Sequence, residues 1–217
     1  MKFLTFTDIH QDRVALGRLV ARAREEDIDF VLCAGDISTF GTGLQVVLKA
    51  FNEVGKPFYV IPGNHEEQGT MLSTAVGFYP FCVNVHKSAL EVEDFVLLGY
   101  GGGGFAQEDA GFRSLARDWY GMYNGRKIIF VTHGPPFGLK VDYLADVGEG
   151  KLSGGKLVGG ERIGRHVGNK DYRKFIERIN PKMVVCGHLH ETAGVIEKVG
   201  RTVIINPGWE GKVVEVK

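Results

Sequence analysis

The stretch Lys2-Phe3-Leu4-Thr5-Phe6-Thr7-Asp8-Ile9-His10 opens the chain with an apolar run and ends in two side chains of metal-binding type. In a β-strand, residues two apart project from the same face, so Asp8 and His10 would reach one point in space where the strand stops. The stretch therefore predicts a buried strand with a chelating pair at its end.

Four further apolar runs end in the same kinds of residue. Glycine stands immediately before Asp36, Asn64 and His188, which lets the backbone crowd a shared centre. In chain order the runs and their ends are Phe30-Val31-Leu32-Cys33 with Ala34-Gly35-Asp36, Phe58-Tyr59-Val60-Ile61 with Pro62-Gly63-Asn64-His65, Ile128-Ile129-Phe130-Val131 with Thr132-His133-Gly134, and Met183-Val184-Val185-Cys186 with Gly187-His188-Leu189-His190.

Helical periodicity separates the first three strands. Residues 11–26 and 44–54 carry apolar side chains at spacings of three and four, which is the pattern of helices that pack on a sheet. The order β-α-β-α-β predicts parallel strands with right-handed crossovers, and ligands of such α/β sheets bind at the carboxyl ends of the strands. The residues of metal-binding type therefore stand where an α/β fold places a site.

The second half of the chain has shorter segments. Asn169 is predicted to cap a helix over residues 170–179, just before the strand that ends in paired histidines. Gly101-Gly102-Gly103-Gly104 is predicted to be a turn at the rim, because it lacks the lysine and helix of a phosphate loop. The other predicted elements are antiparallel strands at residues 81–86 and 90–98, a helix at residues 107–122, a strand at residues 126–131 and an antiparallel tail over residues 195–216.

Composition predicts one soluble domain over residues 1–217, since 44% of the residues are hydrophobic. Lysine plus arginine and aspartate plus glutamate number 26 each, so charge does not favour nucleic acid as a partner. No run has transmembrane length, and Asp8 interrupts the opening where a signal peptide would continue, which predicts a cytoplasmic protein without a membrane partner. Cys33, Cys82 and Cys186 are predicted to be reduced core residues.

Five of the seven histidines fall at the predicted strand ends. Imidazole, carboxylate and one carboxamide suit first-row divalent ions such as Mn, Fe, Co, Ni or Zn. The set is too large for one ion, but it suffices for two ions that share a carboxylate and keep positions open for water and substrate. The candidate ligands are Asp8, His10, Asp36, Asn64, His133, His188 and His190.

As a set, these motifs resemble those of the calcineurin-like metallophosphoesterases. The resemblance covers the whole chain and implies an α/β fold of four αββα layers, in which two mixed β-sheets face each other and helices flank them. The motifs that stand in the family's order are Asp8-Ile9-His10, Gly35-Asp36, Gly63-Asn64-His65-Glu66, His133 and Gly187-His188-Leu189-His190, and Asn206-Pro207-Gly208 resembles a late family signature.

The resemblance also implies roles for individual residues. Two ions, with Mn favoured, would share Asp36 and hold a bridging hydroxide that attacks the phosphorus. His65 would protonate the leaving group, which makes His65 and Asp36 the catalytic candidates. Glu66 either orients His65 or is a solvated residue at the start of a helix. The first ion would also bind Asp8, His10 and His190, and the second Asn64, His133 and His188.

The favoured substrate is a small phosphodiester, because no arginine stands in or beside the ligand motifs to clamp the extra charge of a monoester. Three alternatives are a phosphomonoesterase, a nuclease of the same superfamily and a non-catalytic scaffold that binds other proteins, and the intact ligand set argues against the scaffold. A protein Ser/Thr phosphatase is disfavoured, because Ile37-Ser38-Thr39-Phe40-Gly41 lacks the Asp-Arg-Gly continuation of such enzymes.

Several features stay open at this point. Trp209 is expected to be a buried core residue, with a wall of the substrate cleft as the alternative. The physiological substrate, the native metal and the oligomeric state, including a homo-oligomer, are not specified. Residues 134–168 either cover the cleft or form a solvent loop or subunit contact, and they carry the cationic candidates Lys151, Lys156, Arg162, Arg165 and His166.

Overall fold

The structure is a computed structural model that describes residues 1–66, 70–145 and 164–217. The strands are β1 (Lys2–Phe6), β2 (Phe30–Cys33), β3 (Phe58–Val60), β4 (Cys82–Asn84), β5 (Ser88–Val92), β6 (Phe95–Tyr100), β7 (Lys127–Thr132), β8 (Tyr143–Ala145), β9 (Gly164–His166), β10 (Met183–Val185), β11 (Ile196–Val199), β12 (Thr202–Ile205) and β13 (Lys212–Glu215). The α-helices are α1 (Arg13–Ala23), α2 (Leu44–Asn52), α3 (Met71–Val76), α4 (Ala110–Tyr123) and α5 (Lys170–Ile179).

The first sheet has the strand order β13-β1-β2-β3-β4. Strands β1 to β4 are parallel and β13 is antiparallel to β1, so the predicted β-α-β-α-β unit is confirmed. Helix α1 begins after Asp12, whose side chain accepts hydrogen bonds from the backbone N–H groups of Val14 and Ala15. Leu16 and Leu48 belong to the apolar cluster that attaches α1 and α2 to this sheet.

The second sheet has the order β11-β12-β10-β7-β6-β5. Strands β6, β7, β10 and β12 are parallel, and β5 and β11 are antiparallel edge strands. Helix α5 begins and ends at its predicted residues. Asn169 caps its start by accepting hydrogen bonds from the backbone of Asp171 and Tyr172, and Asn180 follows its end in the left-handed conformation. Phe112 of α4 and Phe175 of α5 belong to the core that holds both helices against the sheet.

A third apolar core lies between the two sheets. Phe3 and Leu32 from the first sheet and Leu97 and Ile129 from the second belong to it. Successive strand residues point to opposite faces, so Phe3 packs between the sheets while its neighbour Leu4 packs under the helices. The order helix, sheet, sheet, helix confirms the four-layer α/β fold.

The structure corrects the pairing of three segments. The strand predicted at residues 81–86 is β4, which pairs parallel with β3 because α3 forms an unforeseen crossover between them. The segment at residues 90–98 is a hairpin of β5 and β6 that turns at Glu93. In the tail, β12 pairs parallel with β10 although β11 and β13 are antiparallel to their partners. Alternating hydrophobicity predicts a strand but does not identify its neighbour.

The cysteines Cys33, Cys82 and Cys186 are all buried free thiols. Burial raises the pKa of each thiol, that of Cys82 to about 12, which makes them poor nucleophiles in the folded protein. No helix in the described ranges is both long and apolar enough to cross a membrane.

Candidate metal centre

Five strand ends meet at one edge of the two sheets. The loops after β1, β2, β3, β7 and β10 carry all seven candidate ligands and His65. Strand β1 already ends at Phe6, so Asp8 and His10 lie in a loop, which corrects the explanation that they share one face of a strand. Asp8, His10, Asp36 and His188 have φ angles of +56°, +41°, +51° and +69°. Residues other than glycine adopt this conformation uncommonly, although aspartate and histidine tolerate it better than most.

One half of the cluster consists of Asp8, His10 and His190, whose ligand atoms lie within 4.8 Å of one another. The Nε2 atom of His190 is 3.7 Å from Oδ1 of Asp8 and 3.2 Å from Nε2 of His10. Three donors converge on a small volume here, as a bound cation requires.

The other half consists of Asp36, His133 and His188, again within 4.8 Å of one another. The Nε2 atom of His133 lies 3.4 Å from Oδ2 of Asp36 and 3.0 Å from Oδ1 of Asn64, which adds the carboxamide to this half. The Oδ2 atom of Asp36 is also 3.8 Å from Nε2 of His10. Asp36 therefore stands between the two halves.

His65 also lies at the centre. Its Nε2 atom is 3.9 Å from Oδ2 of Asp36, and its backbone N–H donates to Oδ1 of the same carboxylate at 2.9 Å. The ligand atoms of His10, Asp36 and His65 lie within 4.8 Å of one another. The geometry thus permits His65 either to contact substrate or to act as an eighth ligand.

Several buried polar atoms in the cluster have no hydrogen-bond partner among the described residues. They include Oδ1 of Asp8, Nε2 of His188 and Nδ1 of His65. A buried polar atom without a partner is unfavourable, and in native proteins such atoms usually bind water or an ion. Since Asp8 and His188 belong to opposite halves, the residues present fit a metal ion in each half.

Burial and the neighbouring charges in the cluster shift the pKa values of Asp36, His133 and His188. Burial acts to raise the pKa of Asp36, but the hydrogen bond and charge of His133 outweigh burial and lower that pKa to about 2. Burial acts to lower the pKa of His133, and Asp36 raises it to about 9. Burial and the neighbouring charge of His133 lower the pKa of His188 to about 4. Asp36 thus favours the protonated form of His133 in the metal-free cluster, and a bound cation would compete with that proton.

A layer of hydrogen bonds orients the candidate ligands. His133 places Nδ1 2.8 Å from the carbonyl of Ala34, so its Nε2 atom faces the cluster. The Oδ2 atom of Asp8 accepts from the hydroxyl of Thr7 at 2.7 Å and from the backbone N–H of His188 at 2.9 Å. The other oxygen of Asp8 remains directed at the cluster.

Glu66 has a different role from either of those predicted for it. Its carboxylate is buried, and it accepts hydrogen bonds from the backbone N–H groups of Asp36, Ser38 and Gly63 at 2.9–3.0 Å and from the Ser38 hydroxyl at 2.5 Å. It is therefore neither solvated nor hydrogen-bonded to His65. Its four bonds connect the loop after β2 to the loop after β3.

Glycines allow the loops of the cluster to approach one another, as predicted for Gly63 before Asn64 and Gly187 before His188. A Cβ atom on Gly63 would lie 2.0 Å from Oδ1 of Asp36, and one on Gly187 would lie 2.0 Å from Oγ1 of Thr7. Both distances are far below van der Waals contact, so no larger residue fits without displacing a loop of the cluster.

The cluster opens into a cleft of about 290 Å³. Phe105, Leu144, Leu189 and Glu191 line it together with the candidate ligands. Sequence reasoning named neither Phe105, which follows the four glycines, nor Leu144. Leu144 does belong to the segment 134–168, and its place in the lining agrees with the alternative that part of this segment covers the cleft. The remaining lining residues are His10, Asp36, Asn64, His65, His188 and His190.

The structure also places the residues that the sequence left open. Trp209 is 39% exposed, with its ring centroid 6.2 Å from that of His190, so it is not the expected core residue. His86 and His166 lie outside the cluster, where His86 accepts from the backbone of Gly101 and His166 pairs with Asp142. Of the cationic candidates in residues 134–168, Lys151, Lys156 and Arg162 lie outside the described residues.

Several known proteins resemble this chain in sequence or in fold. The sequence model of the calcineurin-like phosphoesterase family matches residues 1–192. An uncharacterized protein of Methanocaldococcus jannaschii is 27% identical over 95% of this chain and 88% of its own length. A probable glycerophosphodiester phosphodiesterase of Arcobacter nitrofigilis is 27% identical in a match that covers 76% of this chain and 58% of that protein. The crystal structure of TT1561 of Thermus thermophilus is similar in fold, with a TM-score of 0.72 and 15% identity over 96% of this chain and 90% of that one.

Proposed function

We propose a two-cation phosphodiesterase activity for this chain, which belongs to the calcineurin-like phosphoesterase family. The family is metal-dependent and its members hydrolyse phosphate esters. The position of Asp36 carries the proposal, because one carboxylate oxygen faces His10 of one half and His133 of the other at 3.8 and 3.4 Å. A carboxylate between two sets of donors is the arrangement that two neighbouring cations share.

The two groups of donors would each hold one ion, and both ions would use Asp36. When bound, the ions supply a nucleophile from water near neutral pH and neutralise charge on the phosphoryl oxygens. The chain orients the donors through the bonds of Ala34 to His133 and of Thr7 to Asp8. Mn²⁺ suits the donor set and is the ion we would load first. One ion would take Asp8, His10 and His190, and the other Asn64, His133 and His188.

His65 is the group that would give a proton to the departing oxygen. Its side chain is 20% exposed and lines the cleft, so a substrate can reach it. The hydrogen bond from its backbone to Asp36 keeps it beside the cluster. An imidazole near neutral pH is a suitable general acid, and its proton would pass to the ester oxygen as the bond to phosphorus breaks.

The walls of the cleft support a diester rather than a monoester. Among the described residues that line it there is no arginine or lysine, whereas sites for dianionic monoesters commonly add a guanidinium clamp. Phe105, Leu144 and Leu189 provide apolar surface for an ester arm. Arg165 is the described arginine to test as a clamp, because it lies opposite Leu144 in the β8–β9 pair.

The test compares kcat/KM for an aryl diester and the matched aryl monoester with the same Mn²⁺ loading. We expect the diester to be preferred in the wild type and in Arg165→Gln. A clear preference for the monoester would contradict the proposal. If the wild type preferred the monoester and Arg165→Gln lost that preference, the guanidinium of Arg165 would be the group that binds the extra charge of the monoester.

A further inference from the structure

Three exposed aromatic rings surround the candidate metal centre, each beside a different histidine. The ring centroid of Phe40 lies 4.2 Å from that of His65, and that of Phe105 lies 4.4 Å from that of His188. Trp209 lies beside His190 on a third side. We refer to Phe40, Phe105 and Trp209 as the aromatic rim.

Exposure of this rim is unfavourable for the free protein. Phe40 is 65% and Phe105 59% exposed, although burial of aromatic surface is among the main stabilising contributions in proteins. Phe40 also has a φ of +49°, a conformation that a bulky residue rarely adopts. Large exposed apolar side chains that surround a cleft are typical of ligand-binding surfaces.

Backbone hydrogen bonds hold Phe40 in place. Thr39 and Thr42 exchange backbone hydrogen bonds of 3.1 and 3.0 Å around Phe40, and the Ser38 hydroxyl accepts from the N–H of Gly41. This tight turn accounts for the left-handed conformation at Phe40. A hydrogen-bonded turn therefore holds the Phe40 ring beside His65.

Phe105 is held in a similar way. The N–H of Gly102 donates to the carbonyl of Pro62 at 2.8 Å, and the N–H of Ala106 donates to the carbonyl of Gly103 at 2.9 Å. A Cβ atom on Gly104 would lie 3.7 Å from the His188 ring, so this turn already contacts the cluster. The four glycines thus place the Phe105 ring against His188.

The cleft offers few groups that would recognise a polar arm. Outside the candidate ligands and His65, Glu191 is the one charged residue among the described lining, and its charge repels an anionic arm. Phe105, Leu144 and Leu189 are the other lining residues. A glycerol or sugar arm alone would leave this surface without a partner, whereas a planar ring would stack on it.

We infer that the substrate is a nucleoside phosphodiester whose two ester arms lie against different rings of the rim, an inference that rests on the proposed function. Since His65 is the proposed proton donor, the leaving arm would lie beside His65 and Phe40. The retained arm would then lie beside His188, with its base against Phe105. Phe105 is accordingly a specificity residue for the retained arm.

The experiment keeps the leaving group constant and varies the retained arm. Thymidine 5′-(p-nitrophenyl phosphate) and methyl p-nitrophenyl phosphate both release p-nitrophenol, so their ratio of kcat/KM reports the retained arm alone. We expect the thymidine ester to be preferred, and Phe105→Leu to lower that ratio roughly 10-fold, as loss of one stacking ring does in other proteins. Phe40→Leu should slow both esters alike, because both carry the same leaving arm.

Matched variants separate stacking from folding. Phe105→Tyr keeps a ring and should retain the preference, while Phe78→Leu removes an exposed phenylalanine that does not line the cleft and should change neither ester. A wild-type ratio near one, or an unchanged ratio in folded Phe105→Leu, would overturn the inference while leaving diester hydrolysis intact. Hydrolysis of neither diester would instead contradict the proposed function.

Binding provides a readout that does not depend on hydrolysis. Thymidine 5′-phosphate and 2-deoxyribose 5-phosphate differ only in the base, so calorimetric titration of the Mn²⁺-loaded protein should show tighter binding of the nucleotide. Equal affinity for the two phosphates would contradict a role of the rim in base recognition.

Discussion

The buried carboxylate of Glu66 accepts a hydrogen bond from the backbone N–H of Asp36 at 2.9 Å. Three further bonds to Ser38 and Gly63 fill the acceptor positions of the same carboxylate. Through these bonds, Glu66 holds the loop that carries the candidate ligand Asp36 without a hydrogen bond to the Asp36 side chain. Partners of this kind orient ligands and contribute to metal affinity.

Replacement of Glu66 by glutamine should weaken the site. The amide would turn an N–H donor toward backbone N–H groups, so at least one buried donor would lose its acceptor. We expect metal affinity to fall roughly 10- to 100-fold, measured by calorimetric titration of Mn²⁺. Glu26→Gln, at an exposed position, is the control. Unchanged affinity in Glu66→Gln would show that the loop does not need this carboxylate.

Removal of Asp36 should empty both halves of the cluster. We expect about two divalent ions per wild-type chain, and Asp36→Ala to lose most of both, because Oδ2 of Asp36 lies 3.8 Å from His10 of one half and 3.4 Å from His133 of the other. Elemental analysis of the purified proteins measures this, with Asp94→Ala, an exposed carboxylate paired with Lys127, as the control. One ion per wild-type chain at saturation, or two in the variant, would be incompatible with a shared carboxylate.

His65→Asn separates proton donation from metal binding. The variant should keep its metal content while kcat falls roughly 10²- to 10⁴-fold, the usual contribution of a proton-transfer group. Metal analysis and kcat are measured on the same preparation. A fall in metal content would instead identify His65 as a ligand, which its distance of 3.9 Å from Asp36 permits.

Gly63→Ala should disturb the centre without changing a candidate ligand. The added Cβ would lie 2.0 Å from Oδ1 of Asp36 and 2.5 Å from its backbone nitrogen. We expect a loss of about 1–3 kcal/mol in the free energy of unfolding together with weaker metal binding. Gly17→Ala, in the exposed part of α1 with open space around it, should gain about 0.5–1 kcal/mol instead. Urea unfolding of the two metal-free variants makes the comparison.

His86 should make stability depend on pH. Burial, followed by the charge of Lys87, lowers its pKa from 6.5 to about 4, and its Nδ1 accepts from the backbone of Gly101. The unfolded chain therefore binds the proton more readily, so stability is full above pH 6.5 and falls as the pH drops from 6.5 toward 4.

His86→Asn keeps an acceptor but cannot titrate. The decrease in the free energy of unfolding between pH 7 and pH 4.5 should therefore be smaller in this variant than in the wild type, measured by urea unfolding. Carboxylates titrate in both proteins, so the difference between them isolates His86. Parallel pH profiles would show that His86 is accessible to protons in the folded state.

The sequence predicted most elements of this protein and the residue types of its candidate donors, because both are encoded locally. Apolar runs and helical spacing predicted most elements, and Asn169 predicted the start of α5 through bonds to residues two and three positions away. The identity of the donors at five strand ends was readable for the same reason. Each of these signals lies within a few residues of the feature that it predicts.

Only the tertiary structure decided how distant segments meet. The parallel pairing of β4 with β3, the bonds of Glu66 to Asp36 and the exposure of Trp209 depend on residues that are remote in the chain or on the packing around them. The left-handed backbone at Asp36 is likewise imposed by its surroundings. A hydrogen bond or a buried contact between loops belongs to two segments at once, and the local pattern of either segment does not contain it.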